Sequence, residues 1–152
     1  MTKKEPKYPN TQETNEPLLV EQELEQFAKD VHGHWMVEDS GKPFDLEERT
    51  ALFGEGVIEF ARKIPQDAVT QRLIGQLVGV GKSVGANYCE ADDSVSRKEY
   101  KQKVGYCKKE ARETKFFIRM IVKAVPALRE EAMPLWQEAK ELHLIFAKIY
   151  RA

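Results

Sequence analysis

The sequence predicts an all-α fold: an antiparallel up-down four-helix bundle with an additional short N-terminal helix. Three observations predict it. Apolar residues recur at three- and four-residue spacing through most of the chain beyond residue 43, no stretch alternates apolar and polar residues as a half-buried strand does, and prolines or polar clusters separate the periodic segments by only a few positions. Helices joined by short connections pack most simply as antiparallel neighbours.

A chain of 152 residues with 41% hydrophobic content is long enough for one domain with a sizeable core and short for two. Charged residues make up 32% but cancel to a net charge of −1, so the molecule as a whole is not an attractor for polyanions. Cys89 and Cys107 lie in helical segments without Cys-x-x-Cys spacing. That argues against a zinc site or a disulfide framework and for small core residues of a reduced protein. No apolar run approaches the roughly twenty residues that span a bilayer, and the start lacks the charged-then-apolar pattern of a signal peptide. The expectation is a cytoplasmic protein with no membrane partner.

Residues 1–43 read as a polar extension and residues 44–152 as the bundle. Within the extension, residues 1–16 are too polar to bury anything, and Val20, Leu24, Phe27, Ala28 and Val31 make the stripe of a short amphipathic helix. His32 and His34 lack a completing ligand set, so no metal is expected there. The first bundle helix opens at Asp45, with Glu48 three positions later in a capping-box pattern, carries Leu46, Phe53, Val57, Phe60, Ala61 and Ile64, and stops at Pro65.

The second helix begins near Asp67 and contains Gly81-Lys82-Ser83, which looks like a phosphate-binding loop. The spacing fails: a P-loop needs glycine five positions before Gly81, and Gln76 stands there, with no strand upstream. Helical spacing fits instead, with Val69, Leu73, Leu77, Val80, Val84 and Tyr88 on one arc. A second arc of small residues, Gly75, Gly79, Ser83 and Ala86, predicts a seam where another helix comes close, inside the bundle or between subunits. Each interior glycine costs about 1 kcal/mol relative to alanine, so close approach must offset it.

Ser96, with Glu99 three residues on, opens a third helix running to about Val125. At about 100° per residue, Tyr100, Val104, Cys107, Ala111, Ile118, Ile121, Val122 and Val125 share a core sector. Arg97, Lys101, Lys108, Arg112, Lys115 and Arg119 fill an adjacent sector of only about 60°. Between Arg97 and Lys123 ten basic and three acidic residues give a local charge of +7, leaving −8 for the rest of a chain of net charge −1. Such a ridge suits phosphates, with release of their counterions. It equally suits acidic helices of its own bundle or of a neighbouring subunit, and no aromatics are interleaved in it for base stacking. The fourth helix carries Leu128, Leu135, Trp136, Ala139, Leu142, Ile145 or Phe146, and Ile149. Pro134 predicts a kink there, or a short turn over residues 127–132 before the main helix.

Asp45-Leu-Glu-Glu-Arg-Thr50, Gln76-Leu77, Ser83-Val-Gly-Ala-Asn-Tyr-Cys-Glu-Ala91, Ser96-Arg-Lys-Glu-Tyr100 and Cys107-Lys-Lys-Glu-Ala-Arg-Glu-Thr114 resemble the four-helix-bundle family associated with intervening sequences of bacterial 23S ribosomal RNA genes. That family is related to the accessory protein of diversity-generating retroelements. The resemblance covers about residues 44–152. It implies a homopentameric ring of bundles, no enzymatic activity, no cofactor, and association with RNA or a nucleoprotein. The family's recurrent polar positions fall on Arg49, Ser83, Asn87, Glu90, Ser96, Lys103, Glu110 and Glu113, which the resemblance presents as a network between helices. Lys82 and Pro134 depart from the family pattern, and the segment before residue 44 has no counterpart in it.

Two functions follow as expectations. One is a non-catalytic oligomer that binds RNA or a nucleoprotein partner through the basic ridge; the other is a protein-protein scaffold without nucleic-acid binding. Catalytic bundles are disfavoured by the histidines. A di-metal bundle needs Glu-x-x-His, and His143 has Lys140 three residues before it.

Overall fold

A computed structural model of the chain describes residues 45–152. The amphipathic stripe around Leu24, and His32 and His34, lie outside the described residues. Four α-helices follow in order, α1 (Leu46–Arg62), α2 (Ala68–Asp92), α3 (Arg97–Ala124) and α4 (Arg129–Arg151), with a 3-10 turn at Pro126–Leu128 between the last two. Each helix packs on its sequence neighbours, and α1 also meets α4, which closes an antiparallel bundle. No strand occurs among the described residues.

Side chains set the helix starts. Asp45 accepts a hydrogen bond from the Glu48 backbone N–H at 3.1 Å, and Ser96 accepts one from Glu99 at 3.1 Å. Asp67 caps α2 with a full capping box: its carboxylate accepts from Val69 and Thr70, and the Thr70 hydroxyl accepts from the Asp67 N–H at 2.8 Å. Those backbone hydrogen bonds hold the Asp67 carboxyl below its ordinary value.

The core holds Trp136, Phe146, Leu77, Ile118, Ile121 and Leu142, all at most 1% exposed. Three threonines are buried with them, and each donates its hydroxyl to a carbonyl nearby in the chain: Thr50 to Leu46 at 2.6 Å, Thr70 to Pro65 at 2.6 Å and Thr114 to Glu110 at 2.7 Å. These three hydroxyls are thus satisfied within or beside their own helices and place no demand on the facing ones. Cys107 belongs to this core, and burial pushes its thiol up to about 12, so it stays protonated. Cys89 does not: it is exposed, on the outer side of α2.

Within the bundle, the close approach between helices falls at Gly81 and Gly85 and not at Gly75 and Gly79. A Cβ on Gly75 or Gly79 would meet nothing within 4 Å, and Ala86 is exposed. The contact is made at Gly81, where a Cβ would lie 2.7 Å from Cγ2 and 2.8 Å from Cγ1 of Val57, and at Gly85, where it would lie 3.2 Å from Oγ1 of Thr50. The buried arc of α2 is therefore Thr70, Leu77, Gly81, Val84 and Ala91, rotated from the expected one, and Val69 is left 63% exposed. The physical reason is α1. Its β-branched Val57 and Thr50 press on α2, and only glycine leaves them room.

Pro134 neither breaks α4 nor delays it. The irregular turn lies upstream at Pro126–Leu128, and the helix is continuous from Arg129. Proline removes the hydrogen bond to the carbonyl four residues back, that of Glu130, an exposed residue near the helix start.

Gly81→Ala is expected to destabilise the bundle by about 1–3 kcal/mol, because a stiff, buried Val57 must move. Gly79→Ala is expected to be neutral or stabilising by up to about 1 kcal/mol. Urea unfolding of both variants checks the contrast, and the reverse order would show that the seam runs through Gly79.

Candidate functional site

Antiparallel packing lays the C-terminal turns of α4 along the N-terminal half of α3. Lys101, Gly105 and Lys108 lie at intervals of four and three residues on one face of α3. Gly105, the only glycine of that helix, makes the notch. A Cβ there would sit 3.2 Å from Cε2 of Tyr150, so the tyrosine ring rests directly on the α3 backbone. The ammonium groups of Lys101 and Lys108 lie over the same ring, 5.1 and 5.3 Å from its centroid. Tyr150 remains 37% exposed. One exposed cation–π contact is worth about 0.5–1 kcal/mol, enough to bias both lysine stems toward the ring without fixing them.

Two turns further along the ridge a second aromatic is bracketed by lysines. Lys115 of α3 and Lys140 of α4 lie 4.8 and 5.6 Å from the centroid of Trp136, but that ring is 1% exposed and belongs to the core. Between the two, His143 approaches the Lys108 carbonyl with Nδ1 at 3.0 Å. A carbonyl only accepts, so Nδ1 carries a proton and ties α4 to α3 beside the ridge.

Of the ridge residues, Arg97, Lys101 and Arg112 are exposed, and Lys108, Lys115 and Arg119 are half-buried. The ion pairs between described residues engage other cations: Arg49, Lys63 and Lys103. Among the described residues, no carboxylate pairs with Arg97, Lys101, Lys108, Arg112 or Arg119. The described acidic residues of the bundle therefore leave these five cations without ion pairs.

The family-like polar positions divide into separate local arrangements. Ser83 donates to the Gly79 carbonyl at 2.6 Å, and Asn87 donates to the Ser83 carbonyl at 2.9 Å, both along α2. Ser96 is a helix cap. Glu90 and Lys103 bridge α2 and α3 at 2.6 Å, and this hydrogen bond raises the lysine above its ordinary value. Burial raises the Glu110 carboxyl, with neighbouring Glu113 adding to the effect. Arg49 makes the most buried contact, reaching across to α4. Its Nη2 donates to Glu138 at 2.6 Å and to Glu141 at 2.9 Å, with the arginine side chain 13% exposed and the two carboxylates 23% and 15%.

Sequence reasoning missed Gly105, Tyr150, Glu138 and Glu141. A lone glycine in a long helix was the available signal for the first. Glu138 and Glu141 sit three apart, beside the core positions Ala139 and Leu142, which is the place for a half-buried charge.

No protein-family model and no curated relative matches the chain. Among solved structures it is similar to a protein of unknown function from the S23 ribosomal protein family of Bacteroides thetaiotaomicron. The two are 19% identical, with a TM-score of 0.62 over 70% of this chain and 98% of that one. What they share is the fold. Among the described residues no group of three or more His, Cys, Asp or Glu side chains is arranged to hold a metal ion, and no helix is long and apolar enough to cross a membrane.

Burial holds the Glu138 carboxyl above its ordinary range; the Arg49 hydrogen bond and charge oppose this, and Glu141 adds to it. A carboxyl raised on folding binds its proton more tightly in the folded state, so its ionisation lowers stability as pH rises through the carboxylate range. Removing Arg49 takes away the opposing charge. Arg49→Met is therefore expected to cost about 2–3 kcal/mol near neutrality, somewhat below the loss for a fully buried pair. The cost should be smaller at mildly acidic than at neutral pH, because protonating Glu138, whose carboxyl is raised by burial, removes the charge that Arg49 balances. Urea unfolding at the two pH values checks it, and an equal cost at both would contradict the pairing.

Proposed function

We propose that the chain is a non-catalytic, homo-oligomeric four-helix-bundle module that binds RNA through the basic ridge of α3. The observation that carries this reading is the set of cations without carboxylate partners among the described residues, at Arg97, Lys101, Lys108, Arg112 and Arg119. The described helices carry acidic residues enough to pair such a row, and none of them pairs with these five cations. From Arg97 to Arg119 the ridge spans about 33 Å at the helical rise, close to one turn of a nucleic-acid duplex. A row of that length displaces counterions from several phosphates at once. Symmetric assembly would multiply the ridge, which lets a modest single contact become a firm one.

A protein-protein scaffold without RNA binding is the second reading. It draws on exposed apolar residues such as Leu52, Ile58, Phe116 and Leu144. Single apolar residues on a surface are ordinary, so they weigh less than an unneutralised cationic row.

The test is RNA binding by the full chain across a salt series. Replacing Arg97, Lys101 and Arg112 together by alanine is expected to weaken binding and to flatten the dependence of log affinity on log salt by about two to three, since each phosphate contact contributes roughly 0.7–0.9. Unchanged affinity and unchanged slope would overturn the ridge as the binding surface.

A further inference from the structure

We propose that Tyr150 is a stacking platform for an unpaired base, so that the ridge takes single-stranded RNA in preference to duplex. The inference rests on the RNA-binding reading above and adds the form of RNA.

The geometry separates this ring from Trp136, and from Tyr106, which is 40% exposed but has one lysine over it, Lys103 at 5.7 Å. Two rings are bracketed by lysines, but Trp136 is 1% exposed and closed to any ligand, whereas Tyr150 is 37% exposed. Its position is fixed from beneath, because Gly105 lets the ring lie on the α3 backbone where any Cβ would crowd Cε2 at 3.2 Å. A ring held against the backbone loses little freedom when a base settles on it. Lys101 and Lys108 stand one turn away on either side of that notch.

The two ammonium groups now over the ring do not block it. Stacking a base is worth about 1–3 kcal/mol against about 0.5–1 for each of the two exposed cation–π contacts, and the displaced lysines recover their loss at the flanking phosphates, so an incoming base displaces them. Their long stems then carry the charges to the phosphates flanking that base. A duplex offers phosphates to the same lysines but keeps its bases stacked on one another and out of reach. The charged ridge thus supplies attraction for either form, and the ring discriminates between them.

The experiment compares a labelled oligouridylate of about twelve nucleotides, within the site size of single-strand binders, with an RNA duplex of the same length. The wild-type chain is expected to favour the single strand. Tyr150→Leu should weaken the single strand about tenfold or more, change duplex binding less than about twofold, and leave both salt slopes unaltered, because no charge is lost. Tyr150→Phe should retain single-strand binding. A chain that binds neither RNA overturns the ridge reading and the platform with it. Single strand and duplex held equally well, both unaffected by Tyr150→Leu, would leave the ridge standing and overturn the platform alone. Should Tyr150→Leu unfold, photocrosslinking of the wild-type chain to an oligomer containing 5-bromouridine decides. An adduct on the peptide containing Tyr150 supports the platform, and adducts only elsewhere overturn it.

Discussion

α3 must bury one face against two neighbours while carrying a large excess of positive charge. Helix α2 packs on one side of it and α4 on the other, and Val104, Cys107, Ala111, Ile118 and Ile121 are fully or almost fully enclosed between them. Charge cannot enter that sector without a heavy desolvation cost. Lys101, Lys108 and Lys115 therefore sit at the margin of the α3–α4 contact, where their aliphatic stems cover apolar surface, while Lys103 lies on the α2 side. This accounts for the shape of the ridge, and for its lysines lying over rings contributed by α4.

The remaining packing follows from how closely α1 can approach. Val57 and Thr50 face the glycines at 81 and 85, so α1 and α2 lie close together along their middle turns. Thr50 is admitted to that contact because its hydroxyl is already satisfied by the Leu46 carbonyl of its own helix. Contact between α1 and α4 is less extensive, and the Arg49 contact to Glu138 and Glu141 joins them. A half-buried charge cluster of this kind adds little net stability over apolar packing, but it fixes which turn of α1 faces which turn of α4.

Much of the fold was legible because it rests on local signals. Asp45, Asp67 and Ser96 mark helix starts through their own side chains, and the helical spacing of Val104, Cys107, Ala111 and Ile118 defines a core face without reference to any partner. Tertiary choices were less legible. Four glycines in α2 announced a close contact, yet which of them would face α1 depended on where Val57 and Thr50 arrived, and that is a property of two helices together. Tyr150 was hidden for the same reason. It stands more than forty residues from the lysines it meets, so a ridge that looked free of aromatics in sequence acquires one only when α4 folds back. The start of α4 at Arg129, despite Pro134, goes with a lost hydrogen bond placed at Glu130, an exposed residue of the first turn, which propensity alone does not reveal.

We propose that RNA lies along the α3–α4 face of the bundle and on no other. Lysine acylation rates measured on the full chain with and without a saturating single-stranded RNA test it most directly, since each amine reports its own exposure. Slowed modification is expected at Lys101 and Lys108, with Lys63, just past the end of α1, and Lys82, on α2, unchanged. Protection spread evenly over all lysines, or protection at Lys63 and Lys82 alone, would contradict it.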